Sequence, residues 1–236
     1  MHPFMVFFRQ WRYLFLLGAL LILLVIQPLV SGFGTVEPLF DALLAFVMVM
    51  LVLALAQDKV WRIVAGIVCI PVAALLLGGH FLFSSAQAAS VTAGHAIGTL
   101  FFVAVAGRII RSIFTSRDIS VDSIFGAICG YLLLGVACAL VYAMIYAANP
   151  ESFHFGDLVR QQVEQGDYRR DVFTYYSFVT LTTVGYGDVT PLSTPARTLS
   201  WVEAMTGQMY LAVLVAGLIS SLVARNSARV RQQEHR

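Results

Sequence analysis

A chain of 236 residues that is 59% hydrophobic and only 12% charged has more apolar surface than a water-soluble fold can hide, because about a quarter of an average globular chain is charged. Lipid is the solvent that this composition fits. The formal net charge of +2 by itself says nothing about nucleic acid, but no basic stripe is interleaved with aromatics, so no nucleic-acid partner is expected.

Six stretches are long enough to cross a hydrocarbon core ~30 Å thick as helices. They are 13–30, 39–57, 60–78, 90–112, 121–147 and 196–224. The first follows Arg9 and Arg12. Its apolar run of about 18 residues exceeds the 7–15 of a secretory signal, so it is expected to be retained as a span. Turn residues or charges separate the early spans, at Ser31-Gly32-Phe33-Gly34, Gln57-Asp58-Lys59, Gly78-Gly79-His80 and Arg117-Asp118. Cys69, Cys129 and Cys138 lie within spans at no metal-ligand spacing and read as small buried hydrophobes.

A voltage sensor needs a helix with arginine at every third position and acidic partners in its neighbours. The fourth span carries Arg108 and Arg111, with Arg117 beyond them, all at one end, and its middle, 94–107, has no charge. Asp41 and Asp58 stand at span ends. Steep voltage dependence takes about three to four charges per subunit, so the first four spans form a sensor-like unit without a working sensor. His80 and His95 flank spans three and four as interfacial polar residues.

Residues 149–170 are polar and read as a loop. The stretch 171–182 is too short to span and begins with Asp171, an acid placed to favour a helix N-terminus. A short re-entrant helix is expected, followed by irregular backbone that membrane depth tolerates only where it is buried in protein or lines a watery path. After the sixth span, Arg225, Arg229 and Arg231 stand near lipid headgroups in a short tail. With both termini cytoplasmic, eleven basic residues lie inside and four, Arg160, Arg169, Arg170 and Arg197, outside. That orientation puts the irregular segment at the outer face.

The irregular segment reads Thr182-Thr183-Val184-Gly185-Tyr186-Gly187-Asp188. Gly185 and Gly187 alternate with larger residues and allow backbone conformations that other residues avoid. Successive carbonyls turned to one side would stack oxygen rings when four copies meet on an axis, replacing the water around a dehydrated potassium ion. Thr183 adds a hydroxyl ring at the inner end, while Val184 and Tyr186 point away to pack against the short helix.

This run resembles the selectivity filter of potassium channels without a mismatch, and 121–224 follows that family's order of outer helix, pore helix, filter and inner helix. The resemblance implies K+ sites at Thr183, Val184, Gly185 and Tyr186, continuing to Gly187, with Thr182 and Asp188 at the filter's ends. It also implies an aromatic cuff at Tyr175 and Tyr176, a gating glycine at Gly207, and a cavity lined by Gln208, Leu211, Val215, Ile219 and Val223 at helical spacing. Val179 departs from simple bacterial members that carry an acid there, which bears on inactivation and leaves selectivity intact. Glu203 is the single acid away from the ends of a span and is expected to bond a pore-helix hydroxyl such as Thr180.

The expected fold is an all-α membrane protein, with six transmembrane helices and a re-entrant pore helix and filter loop between helices five and six. Residues 1–118 form the sensor-like domain, 119–225 the pore domain and 226–236 a short cytoplasmic tail. The expected function is passive K+ conduction by a homotetramer in a bacterial plasma membrane, with no cofactor and no enzymatic reaction. A weakly selective cation channel and a non-conducting subunit are the alternatives. A potassium transporter would carry four degenerate filters in one chain, and an intramembrane serine protease would need a Gly-x-Ser-x-Gly nucleophile and a partner His within spans; neither pattern is present.

Overall fold

The computed structural model describes residues 11–30, 43–51, 96–108, 111, 121–157, 159–160 and 169–234. Helix α1 (Arg12–Val30) covers the expected first span. The spans at 39–57 and 90–112 are described over 43–51 and 96–108, helical in both. The span at 60–78 lies outside the described residues, as do Asp41, Asp58, Cys69, His80, His95 and Arg117.

Helix α2 (Val121–Ala148) covers the span expected as the outer helix. Its buried face is built of Gly126, Ala127, Gly130, Gly135, Ala137 and Ala139, small residues that let neighbouring backbones approach closely. Asp122 in its first turn accepts the Tyr13 N–H at 3.2 Å and pairs with Arg12 at 3.6 Å, which ties the start of α1 to the start of α2. From that tie a continuous apolar core runs through Leu16, Leu20 and Leu23 of α1, Leu44 and Met48, Phe102 and Val105, to Leu133 and Val136 of α2. Phe178 of the short helix packs against the same core.

Helix α2 ends at Asn149-Pro150, where proline favours extended backbone before it. The Asn149 side chain accepts the Glu151 N–H at 3.0 Å and caps one 3-10 turn, Pro150–Ser152. The segment read as a plain loop then forms strand β1 (Phe153–Phe155), which pairs antiparallel with β2 (Val189–Pro191), register Phe153 to Pro191 and Phe155 to Val189. Between the strands lies helix α3 (Arg169–Leu181), which corresponds to the expected re-entrant helix.

Helix α4 (Thr194–Glu234) follows β2. The Ser193 hydroxyl accepts the Ala196 N–H at 3.4 Å at its start. It continues without interruption past Gly207 and through most of the segment expected as a tail. Among the described residues, α2 and the part of α4 at Thr194–Gly217 are long and apolar enough to cross a membrane. Within the subunit 61% of the apolar stretch of α2 is buried, but only 11% of that of α4. Helix α4 therefore leaves an apolar surface uncovered within the subunit.

Candidate functional site

Helix α3 ends by handing its orphan carbonyls to the loop that follows. The Thr182 N–H and hydroxyl both donate to Phe178 O, at 3.0 and 2.6 Å, and Thr183 N–H donates to Thr180 O at 2.9 Å. Val184 and Gly185 N–H both reach Val179 O, at 2.9 and 3.4 Å. Val179 thus anchors the loop through its backbone, and the negative end of the α3 dipole lies beside Thr182 and Thr183, where it favours a cation.

Every second residue of the loop has positive φ: Thr183 at 59°, Gly185 at 59° and Gly187 at 81°. Glycine adopts this conformation at no steric cost. For β-branched Thr183 it is an outlier that costs about 1–3 kcal/mol and persists only where the surroundings impose it. Alternation of this kind is the stereochemistry that turns successive carbonyls to one side.

The outer end of the loop is held from two directions. Asp188 accepts from the Tyr175 hydroxyl at 2.6 Å and from the Val189 N–H at 3.0 Å, and its carbonyl accepts the Gly156 N–H at 2.7 Å. Partial burial, reinforced by the adjacent carboxylate, pushes the Tyr175 phenol up to about 12, so it remains a donor throughout the neutral range. The Ser152 carbonyl accepts the Leu192 N–H at 2.8 Å on the far side of β2. The β1–β2 clip therefore braces Asp188, a function that the polar composition of 149–170 did not reveal.

The expected aromatic pair divides its work. The Tyr175 ring stacks on Tyr186 at 6.4 Å and 3°. Tyr176 turns inward, its ring 4.9 Å from Tyr142 and 5.7 Å from Phe153, and shares a hydrogen bond of 2.7 Å with Ser200. Tyr186 meets the short helix through that stack but is 71% exposed within the subunit, and Val184 is 52% exposed.

Gln208 donates to the Thr183 hydroxyl at 3.3 Å, which places the first expected cavity residue directly at the inner end of the loop. Leu211 and Val215 are exposed on α4. Ile219 and Val223 lie on the same helix, and their side chains are outside the described residues. Gly207 is buried where α4 crosses the end of α3: a Cβ there would collide with the Leu181 carbonyl oxygen and lie 2.9 Å from Leu181 Cδ1.

Glu203 is 2% exposed. Its partners correct the expectation of Thr180: they are Ser177 of α3, at 2.5 Å, and Tyr142 of α2, at 2.6 Å. On α3 Ser177, like Tyr176, faces both long helices, and its hydroxyl also lies 2.8 Å from Gly135 O. Next to it the Phe178 ring fills the space a Gly135 side chain would take, with ring atoms 2.8 Å from that Cβ position.

Two long apolar helices thus bracket a short helix and a loop of alternating backbone hand. Residues 132–224, well under half of the chain, match the family described as "Ion channel". The matched stretch contains most of α2 and all of α3, the loop and the apolar part of α4. The match is to proteins that pass ions and are not enzymes. No curated protein matches the chain.

Proposed function

We propose that the chain is a subunit of a potassium-selective channel, with K+ held by Thr183, Val184, Gly185 and Tyr186 on its way through a filter that ends at Gly187. The observation that carries this reading is the positive φ at Thr183, Gly185 and Gly187 in a Thr-Val-Gly-Tyr-Gly run. Carbonyl rings built on such a backbone substitute for the hydration shell of K+, and the C-terminal end of α3 adds a field favourable to a cation. Passage is passive, down the electrochemical gradient, with repulsion between neighbouring ions aiding exit.

One loop per chain requires four chains to close the rings, so the assembly is a homotetramer. The uncovered face of α4 supports this, with Trp201, Met205, Met209 and Val215 each about half exposed, since exposed apolar patches of this kind mark interaction surfaces. The subunit is multi-pass, with six spans and both termini in the cytoplasm of a bacterial inner membrane. Arg108 and Arg111 supply too little charge for steep voltage gating. The intact Thr-Val-Gly-Tyr-Gly run, with Tyr186 present, favours K+ selectivity over a weakly selective cation pore.

Purified protein in liposomes tests this. Potassium flux far above sodium flux is expected. Equal flux of the two ions points to the weakly selective channel, and no flux of either points to a non-conducting subunit.

A further inference from the structure

The buried polar groups behind the loop form a closed set whose hydrogens can be counted. Ser177 has one hydroxyl hydrogen and lies 2.8 Å from Gly135 O and 2.5 Å from Glu203 Oε1. A carbonyl has no hydrogen to give, and an ionised carboxylate has none either. With Glu203 ionised, a single Ser177 hydrogen would have to serve two short oxygen contacts, and one acceptor pair would face each other bare. With a proton on Glu203 each contact has its own hydrogen: Glu203 donates to Ser177, and Ser177 donates to Gly135 O.

The remaining groups close consistently. Tyr142 donates to Glu203 Oε2 at 2.6 Å, its Ser200 neighbour being farther, at 3.4 Å. Ser200 donates to Ala196 O at 2.7 Å, which leaves its oxygen to accept from Tyr176 at 2.7 Å. The groups facing Glu203 are neutral hydrogen-bonding side chains, Tyr142 and Cys138 of α2 and Ser177 of α3. Among the described residues no cation is paired with it. A buried carboxylate without a cation is strongly disfavoured.

We infer that Glu203 is held as a neutral carboxylic acid that donates to Ser177, and that the resulting chain from Tyr142 through Glu203 and Ser177 to Gly135 O makes it a positioning residue for the loop. Ser177 stands two residues before Val179, whose carbonyl receives the Val184 and Gly185 amides. The proton on Glu203 thus fixes the inner helix, the outer helix and the short helix in one register behind the filter. The consequence for ions rests on the potassium-channel reading; the protonation state does not.

The experiment is infrared difference spectroscopy of the full-length protein in lipid at neutral pH. A protonated-carboxyl C=O band is expected in the wild type, lost in Glu203→Gln and shifted in Ser177→Ala. Identical spectra for wild type and Glu203→Gln overturn the inference. The second measurement is liposome flux. Glu203→Gln preserves the chain, its amide donating to Ser177 and accepting from Tyr142, and is expected to retain wild-type ion discrimination. Glu203→Ala removes the acceptor of the Tyr142 hydroxyl and the donor to Ser177, and is expected to lose that discrimination or to fail to assemble. Glu203→Gln as impaired as Glu203→Ala overturns the positioning role. A wild type that passes K+ and Na+ equally while showing the band refutes the selectivity reading alone.

Discussion

Replacing Gly207 by alanine tests whether that position is a packing contact between α4 and the end of α3. The added Cβ meets Leu181 backbone, which cannot swing aside as a side-chain tip would. Overpacking of this kind costs about 1–3 kcal/mol. Leu181 O also accepts the Tyr131 hydroxyl at 3.2 Å, and moving it away forfeits roughly 0.5–1.5 kcal/mol. Alanine recovers ~1 kcal/mol of helix propensity. The net is a loss of ~1–3 kcal/mol, and each kcal/mol lowers an unfolding midpoint by roughly 2–4 °C in a chain of this size. The assay is the thermal inactivation midpoint of the assembled protein in lipid nanodiscs. Gly18→Ala is the control, because no described atom lies within 4 Å of a Cβ there, and it should leave the midpoint unchanged or raised. A Gly207→Ala midpoint equal to the wild type, accompanied by altered open probability, would refute the packing argument in favour of a hinge.

Gly135→Ala should destabilise by about 1–3 kcal/mol by crowding the Phe178 ring, and adding Phe178→Leu should restore most of the loss in a double-mutant cycle. Tyr175→Phe removes the donor to Asp188 and should leave K+ preference intact while currents decline faster under sustained conduction; unchanged decay in planar bilayers would count against a bracing role for that bond. Gly156→Pro deletes the N–H that donates to the Asp188 carbonyl, so stability should fall by the ~0.5–1.5 kcal/mol of one hydrogen bond, read as a drop of roughly 1–6 °C in the inactivation midpoint. Asp122→Asn weakens the tie between α1 and α2, and as a partly exposed ion pair should cost less than about 1 kcal/mol.

The site was legible in the sequence wherever function demands a residue type by chemistry. Gly185 and Gly187 announce positive φ because other residues avoid it, and Asp171 together with the short uncharged run after it marks a helix too short to cross. Thr183 was read for its hydroxyl, yet its own positive φ was not foreseen, since β-branched residues seldom take that conformation and only the bonded surroundings impose it. The β1–β2 clip was missed because Phe153-His154-Phe155 is too short for alternation to stand out from a polar loop. Ser177 was missed as the partner of Glu203 for a different reason. Choosing among the hydroxyls of α3 needs the rotation of that helix against α2, which the close approach at Gly135 sets and the local pattern does not.

The central claim is discrimination between two monovalent cations, and a bi-ionic reversal potential reads it directly. With K+ on one side of a planar bilayer containing the purified protein and Na+ on the other, the account predicts a reversal potential displaced far from zero, in the direction that opposes K+ flow. A reversal potential near zero, with current carried equally by both ions, would contradict it.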